Sequence, residues 1–306
     1  MNSTPQDVTR TAATDAQYER IYLRLVREAA SAGVGGPVDL LCARAPLLGK
    51  KTVNLYRSAI LAHLPSDPIM LAQLSQAITS ARSKPTGRTS SMKAKNLNDQ
   101  VWAKVRADLL AGGPEGYGAV AVAWVESGRV AGLRPVEWAG AYLQGTELLV
   151  MNRKATNGRS FGVTRSIQVV GLDDEAMLGF QEWCAFVAAN RHRWGEVYEA
   201  ARKALQRAVS RVRPRPSKRI ALYTGRHQMS ADGKAANLSK VQIAALMGQA
   251  STETATRHYG KKRYGNGRRL AVSPSAVDVQ KVEALNRHRE AAPSPREGPK
   301  VTPSGG

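Results

Sequence analysis

The chain has 306 residues, 42% of them hydrophobic, enough to bury one large core or two smaller ones and to exclude a wholly disordered protein. Its 45 Lys and Arg against 24 Asp and Glu leave a net charge of +21, which draws phosphate backbones, an anionic membrane surface or a merely solubilising charge being the alternative. Cys42 and Cys184 are too few and too far apart for a disulfide framework or a cysteine-built metal site. No apolar run reaches the ~18 residues of a membrane helix. The first residues lack the basic and apolar regions of a secretion signal, so a cytoplasmic protein without a membrane partner is expected.

In chain order, residues 1–14 are polar and are expected to be flexible. Tyr18, Ile21, Leu25 and Ala29 then recur at helical spacing until Gly33 stops the pattern. Two further helices are expected in KKTVNLYRSAILAHL, with Val53, Tyr56, Ile60 and Leu64 on one face, and in DPIMLAQLSQAITSA. Together these make a helical domain over residues 15–80. Residues 81–96 have linker composition: Ser, Thr, Pro and Gly surround Arg82, Lys84, Arg88, Lys93 and Lys95. A solvated interdomain loop and a strap following a phosphate backbone both fit that composition.

A larger mixed domain is expected over residues 97–270. NDQVWAKVRADLLAGG and GAVAVAWVESGRVAG read as helices, TELLVM and SFGVTRSIQVV as strands on either side of an Asn157-Gly158 turn. Helices return in DDEAMLGFQEWCAFVAANRH and EVYEAARKALQRAV. Residues 271–306 hold a possible docking helix, with Val277, Val279, Val282 and Leu285 as its apolar residues, before a Pro/Ser/Gly-rich tail of disordered composition. The expected fold class is mainly α with a small antiparallel β-sheet.

Four pieces carry candidate chemistry. In AGLRPVEW, Arg134 precedes a proline suited to a first helical turn, so the arginine stands near a helix start, where anions are favoured. Lys154 lies at the mouth of the expected hairpin, with a proton to donate. In LYTGRHQMSADG, Arg226 follows Tyr223 and precedes His227; an arginine can clamp a phosphate with two parallel hydrogen bonds. In NLSKVQIAALMGQASTETATRHYGKKRYG, Ser239 and Gln242 form a capping box, Gly248 ends the helix, and a polar segment leads through His258 to Tyr259.

Taken in order and spacing, GLRPVE, NRKATNGR, YTGRH, LMGQ and TATRHYG closely resemble the boxes of the tyrosine recombinases, the phage integrase family, over roughly residues 95–270. That family carries an Arg in GLRxxE, a hairpin Lys, His-x-x-Arg-His, LGH and a nucleophilic Tyr some nine or ten residues later. The resemblance implies a helical core-binding domain and a mixed catalytic domain forming a C-shaped clamp on duplex DNA. It implies a homo-tetramer on an inverted-repeat core site, in which the C-terminal helix docks on the neighbouring protomer, with an accessory DNA-binding protein as a further candidate partner, and a nucleoid-associated location. The reaction it implies is DNA integration, excision or resolution for a mobile element or replicon, without metal or other cofactor.

Residue by residue, Arg134 and Arg226 would hold the scissile phosphate, Tyr259 would be the nucleophile and Lys154 the general acid. Tyr223 stands where the family usually has His, and Gln249 where it has His or Trp; both keep a hydrogen-bond donor, but neither replaces imidazole as an acid-base group. His227 matches a family histidine of structural character, and His258 is a candidate for touching the phosphate. Lys261, Lys262 and Arg263 are expected to bind DNA with the basic linker. Tyr264 is a rival nucleophile at the wrong spacing. The alternative to an active enzyme is a recombinase-derived DNA-binding or architectural protein that has lost catalysis through Tyr223 and Gln249. A non-specific nucleic-acid-coating protein is a third reading.

Overall fold

The computed structural model describes residues 12–65, 67–82, 93–113, 115–153, 155, 160–214, 216, 218–254, 259–266 and 270–291. The chain divides into two compact units, Met1–Ser91 and Met92–Gly306. As expected, its structure is mainly α with a small antiparallel sheet. No helix among the described residues is long and apolar enough to cross a membrane.

The first unit contains α1 (Ala12–Ala32), α2 (Pro37–Arg44), a 3-10 turn at Ala45–Leu47, α3 (Lys50–His63) and α4 (Pro68–Ser80). Leu25, Leu40, Leu41, Val53, Ile60 and Leu74 meet in its core. One expectation needs correction here, and one helix was not foreseen. Residues 12–14, expected to be flexible, belong to α1: alanine favours helix, and Asp15 in the first turn complements the dipole. α2 was not legible, since eight residues are too few for a periodicity, although Pro37 marks its first turn.

The second unit opens with α5 (Asp99–Leu110) and α6 (Tyr117–Ala131) and continues through the one-turn α7 (Pro135–Trp138). β1 (Tyr142–Gln144), β2 (Glu147–Met151) and β3 (Thr164–Val169) follow, then α8 (Asp174–Ala189) and α9 (Trp194–Val212). Last come α10 (Thr224–Ala235), α11 (Lys240–Leu246), β4 (Val272–Pro274) and α12 (Ala276–Ala291). The four strands pair antiparallel in the order β1-β2-β3-β4, with Leu148 opposite Ile167 and Val169 opposite Val272. The Asn157-Gly158 turn lies outside the described residues. α6 runs through the core with α10 against it on one flank and α5, α8 and α9 also packed on it. Trp124, Trp138, Trp183 and Trp194 fill the space around it, Trp124 stacking on Trp194 at 4.6 Å.

The ends of the stretch 81–96 are not linker. Arg82 donates its backbone N–H to Leu48 O at 2.9 Å inside the first unit, while Ala94 donates to Arg219 O at 2.8 Å inside the second. Residues 83–92, with Lys84 and Arg88, lie outside the described residues. The C-terminal helix docks on its own chain: Val282 is fully buried against Ala244 and Ala245 of α11, with Val279 and Leu285 beside it, whereas Val277 is exposed. Asp278 fixes the start of α12 by accepting Ser166 N at 2.8 Å from β3.

Candidate active site

The site forms where α6, α7, α10, α11 and β3 meet. α6 ends at Gly132, whose φ of 65° is left-handed and reverses the chain, so that Arg134 falls just before α7. Glu137, one turn on, accepts Arg134 N at 2.8 Å and pairs with the Arg134 guanidinium. α10 approaches α6 through Gly225, where a Cβ would sit 2.3 Å from Val125 O; only glycine permits that contact, and it sets Arg226 beside the end of α6.

Arg226 is fully buried. It donates to Gly132 O, to Met247 O at 2.8 Å and, through Nε, to the Tyr259 hydroxyl at 3.4 Å, and pairs with Glu137 at 3.5 Å. Arg165 of β3, also buried, donates to Leu246 O at 3.0 Å, to Glu137 at 3.0 Å and to Asn152 Oδ1. One carboxylate thus answers three guanidinium groups. Burial alone would raise the Glu137 pKa, but Arg165, Arg226 and Arg134 outweigh it and hold the carboxyl at about 2. The excess positive charge of the cluster suits an anion.

Tyr259 has 8% of its surface exposed and its hydroxyl lies 2.9 Å from that of Tyr223. Burial again acts upward on its pKa; the charge of Arg226, the hydrogen bond of Tyr223 and the charge of Arg134 reverse that and bring the phenol down to about 8. Burial pushes Tyr223 up to about 12, with Arg226 opposing and Tyr259 adding to the rise. The His227 ring lies 5.1 Å from Tyr259 and 5.2 Å from Tyr223. Burial, then Lys95, Arg226, Lys93 and Lys234, push its pKa down to about 4, so the imidazole is neutral at pH 7. Its Nδ1 has no hydrogen-bond partner among the described residues.

Of the expected site residues, Arg134, Tyr223, Arg226 and Tyr259 come together with His227. Gln249 is turned inward: it is 2% exposed, its Nε2 faces Met247 Sδ at 3.9 Å, and its Oε1 has no partner among the described residues. Lys154 and His258 lie outside the described residues. Arg82, Lys93, Lys95, Lys261, Lys262 and Arg263 are exposed. Tyr264 sits in an exposed 3-10 turn and its hydroxyl accepts from Arg263 at 2.9 Å.

Two groups escaped the sequence reading. Glu137 stands in GLRPVE, and Arg165 shares the strand alternation with buried Ile167 and Val169, which was the available sign of an inward charge. The second group is the inner face of α10. Gln228 Nε2 donates to Tyr264 O at 2.9 Å, Asp232 accepts Asn266 N at 2.9 Å, and Lys234 donates to Gly260 O at 2.6 Å. These bonds tie down the chain just beyond Tyr259. Nothing in the spacing of a polar Gln228 and Asp232 distinguished them from a solvated helix face.

No family model and no curated protein matches the chain in sequence. Among solved structures it is similar to the XerH site-specific recombinase bound to difH substrate in a pre-cleavage complex. The identity is 11% and the TM-score 0.39, with 82% of this chain and 76% of that chain covered.

Proposed function

We propose that the chain is a site-specific DNA recombinase that cleaves and rejoins DNA through a phosphotyrosyl intermediate. The observation that carries the reading is the hydroxyl of the buried Tyr259, held by Arg226 Nε at 3.4 Å beside Arg134, with its pKa lowered. The ordered sequence boxes support it as well. An ionisable nucleophile next to an arginine-rich anion site is what phosphoryl transfer needs.

In this reading Arg134 and Arg226 hold the non-bridging oxygens of the scissile phosphate. The Tyr259 oxygen forms a bond to phosphorus as the bond to the 5′ oxygen breaks, and Lys154 protonates that leaving oxygen. The new ester keeps the energy of the phosphodiester, so a second strand's 5′ hydroxyl can reverse the step. The bonds from Gln228, Asp232 and Lys234 to the segment beyond Tyr259 support delivery of the nucleophile to the arginines of its own chain. The basic segment between the two units and the exposed Lys261, Lys262 and Arg263 would contact DNA backbone.

The test is a covalent-trapping assay with nicked duplexes taken from the DNA flanking the protein's own coding sequence. The native chain is expected to form a denaturation-resistant adduct that Tyr259→Phe abolishes. An adduct that persists in the variant would refute the assignment. The inward Gln249 favours a second reading, a DNA-binding protein of the same descent without catalysis; it predicts a sequence-specific footprint on those duplexes and no adduct.

A further inference from the structure

We infer that Tyr223 is a positioning residue for the nucleophile, its hydroxyl donating to the Tyr259 oxygen and holding that oxygen as the ionised member of the pair. The inference rests on Tyr259 being the nucleophile. It assigns to Tyr223 a task directed at a protein oxygen, distinct from donation to the phosphate.

The surroundings set which oxygen is ionised, and an ionised oxygen can only accept. The hydroxyls are 2.9 Å apart, and either could donate to the other in isolation. Arg226 Nε, however, can only donate, and it points at the Tyr259 oxygen from 3.4 Å. That oxygen is therefore the acceptor for one neighbour already. The Arg226 guanidinium also lies closer to the Tyr259 ring, 5.3 Å against 6.0 Å for Tyr223, so its charge favours ionising Tyr259.

The groups facing the pair agree. α10 contributes Arg226 and the neutral His227, with Lys234 further along; the turn before α7 contributes Arg134; the segment before α5 brings Lys93 and Lys95 toward His227. The carboxylate behind Arg226 is Glu137, which Arg134 and Arg165 also occupy. Two phenols at this distance titrate as a unit that releases one proton readily and the second only with difficulty. The first comes from Tyr259 and passes to solvent water. Tyr223 keeps its own proton throughout, while the Tyr259 oxygen bonds phosphorus and the 5′ oxygen leaves with the Lys154 proton.

The experiment is a spectrophotometric titration of phenolate absorbance on the full chain and on Tyr259→Phe and Tyr223→Phe, paired with the pH profile of adduct formation. The native protein is expected to show one phenol ionising well below the ordinary tyrosine range, missing in Tyr259→Phe. Tyr223→Phe, which keeps the ring, should raise that ionisation by about one pH unit and slow adduct formation about tenfold at neutral pH, with recovery under alkaline conditions. A low phenol unmoved by Tyr223→Phe, one that survives Tyr259→Phe, or no low phenol at all would overturn the inference. If the phenol shifts as stated but the native chain never forms an adduct, the hydroxyl pair stands and the recombinase reading falls.

Discussion

Replacing Glu137 with Gln removes the carboxylate that Arg134, Arg165 and Arg226 share, while keeping its shape. The carboxyl is held at about 2 against an ordinary 4.5, and at 1.36 kcal/mol per unit that difference corresponds to roughly 3 kcal/mol of stability. Leaving buried guanidinium groups without their anion extends the expected loss to about 3–5 kcal/mol at pH 7. Because the folded pKa lies below the unfolded one, the contribution is complete above the unfolded value and is lost as pH falls from 4.5 toward 2. At pH 3.5 the gap between native chain and variant should have shrunk by about 1.4 kcal/mol.

Urea unfolding followed by tryptophan fluorescence measures this cleanly, since all 5 tryptophans lie in the second unit. A loss below about 1 kcal/mol at pH 7, the size of an ordinary substitution, would show that the cluster does not depend on its carboxylate. A gap that fails to narrow on acidification would refute the charge argument even if the variant is unstable.

Three further substitutions probe how the site is placed. Gly225→Ala puts a methyl 2.3 Å from Val125 O and must force α10 away from α6, lowering stability by about 3 kcal/mol. Gly195→Ala in α9 meets nothing within 4 Å and should raise stability by about 0.5 kcal/mol, so equal thermal shifts for the two would contradict the close-approach argument. Arg226→Lys cannot serve Gly132 O, Met247 O and Tyr259 together. It should cut adduct formation by about 100-fold or more, and raise the lowest phenol ionisation in an absorbance titration; an unchanged ionisation would mean that Arg226 does not bias Tyr259.

The parts of the fold that sequence periodicity revealed are long and singly patterned. α1, α3, α6 and α8 repeat apolar residues for three or more turns, and β2 and β3 alternate, so local burial preference names them. α2, β1 and β4 are too short for any such repeat, and β4 exists because β3 offers it an edge, Val272 opposite Val169. The role of α12 illustrates the same limit. Its apolar residues were expected to dock on a neighbouring protomer, whereas Val282 buries against α11 of its own chain, a surface assembled only in the folded chain.

By itself the sequence named the candidate side chains: Arg134, Tyr223, Arg226, Gln249 and Tyr259 stand in ordered boxes, and each box is local. Tertiary structure decided what those side chains do to one another. Glu137 became a three-way counterion because β3 brings Arg165 to the end of α6 and α7, and that depends on strand register. Tyr223 met Tyr259 because α10 presses against α6 at Gly225 while its inner face draws in the segment after Tyr259. Hydrogen-bond direction, desolvation and charge coupling act over a few ångströms between residues far apart in the chain. Spacing along the chain names the candidates, and only folding brings their charges close enough to shift a proton.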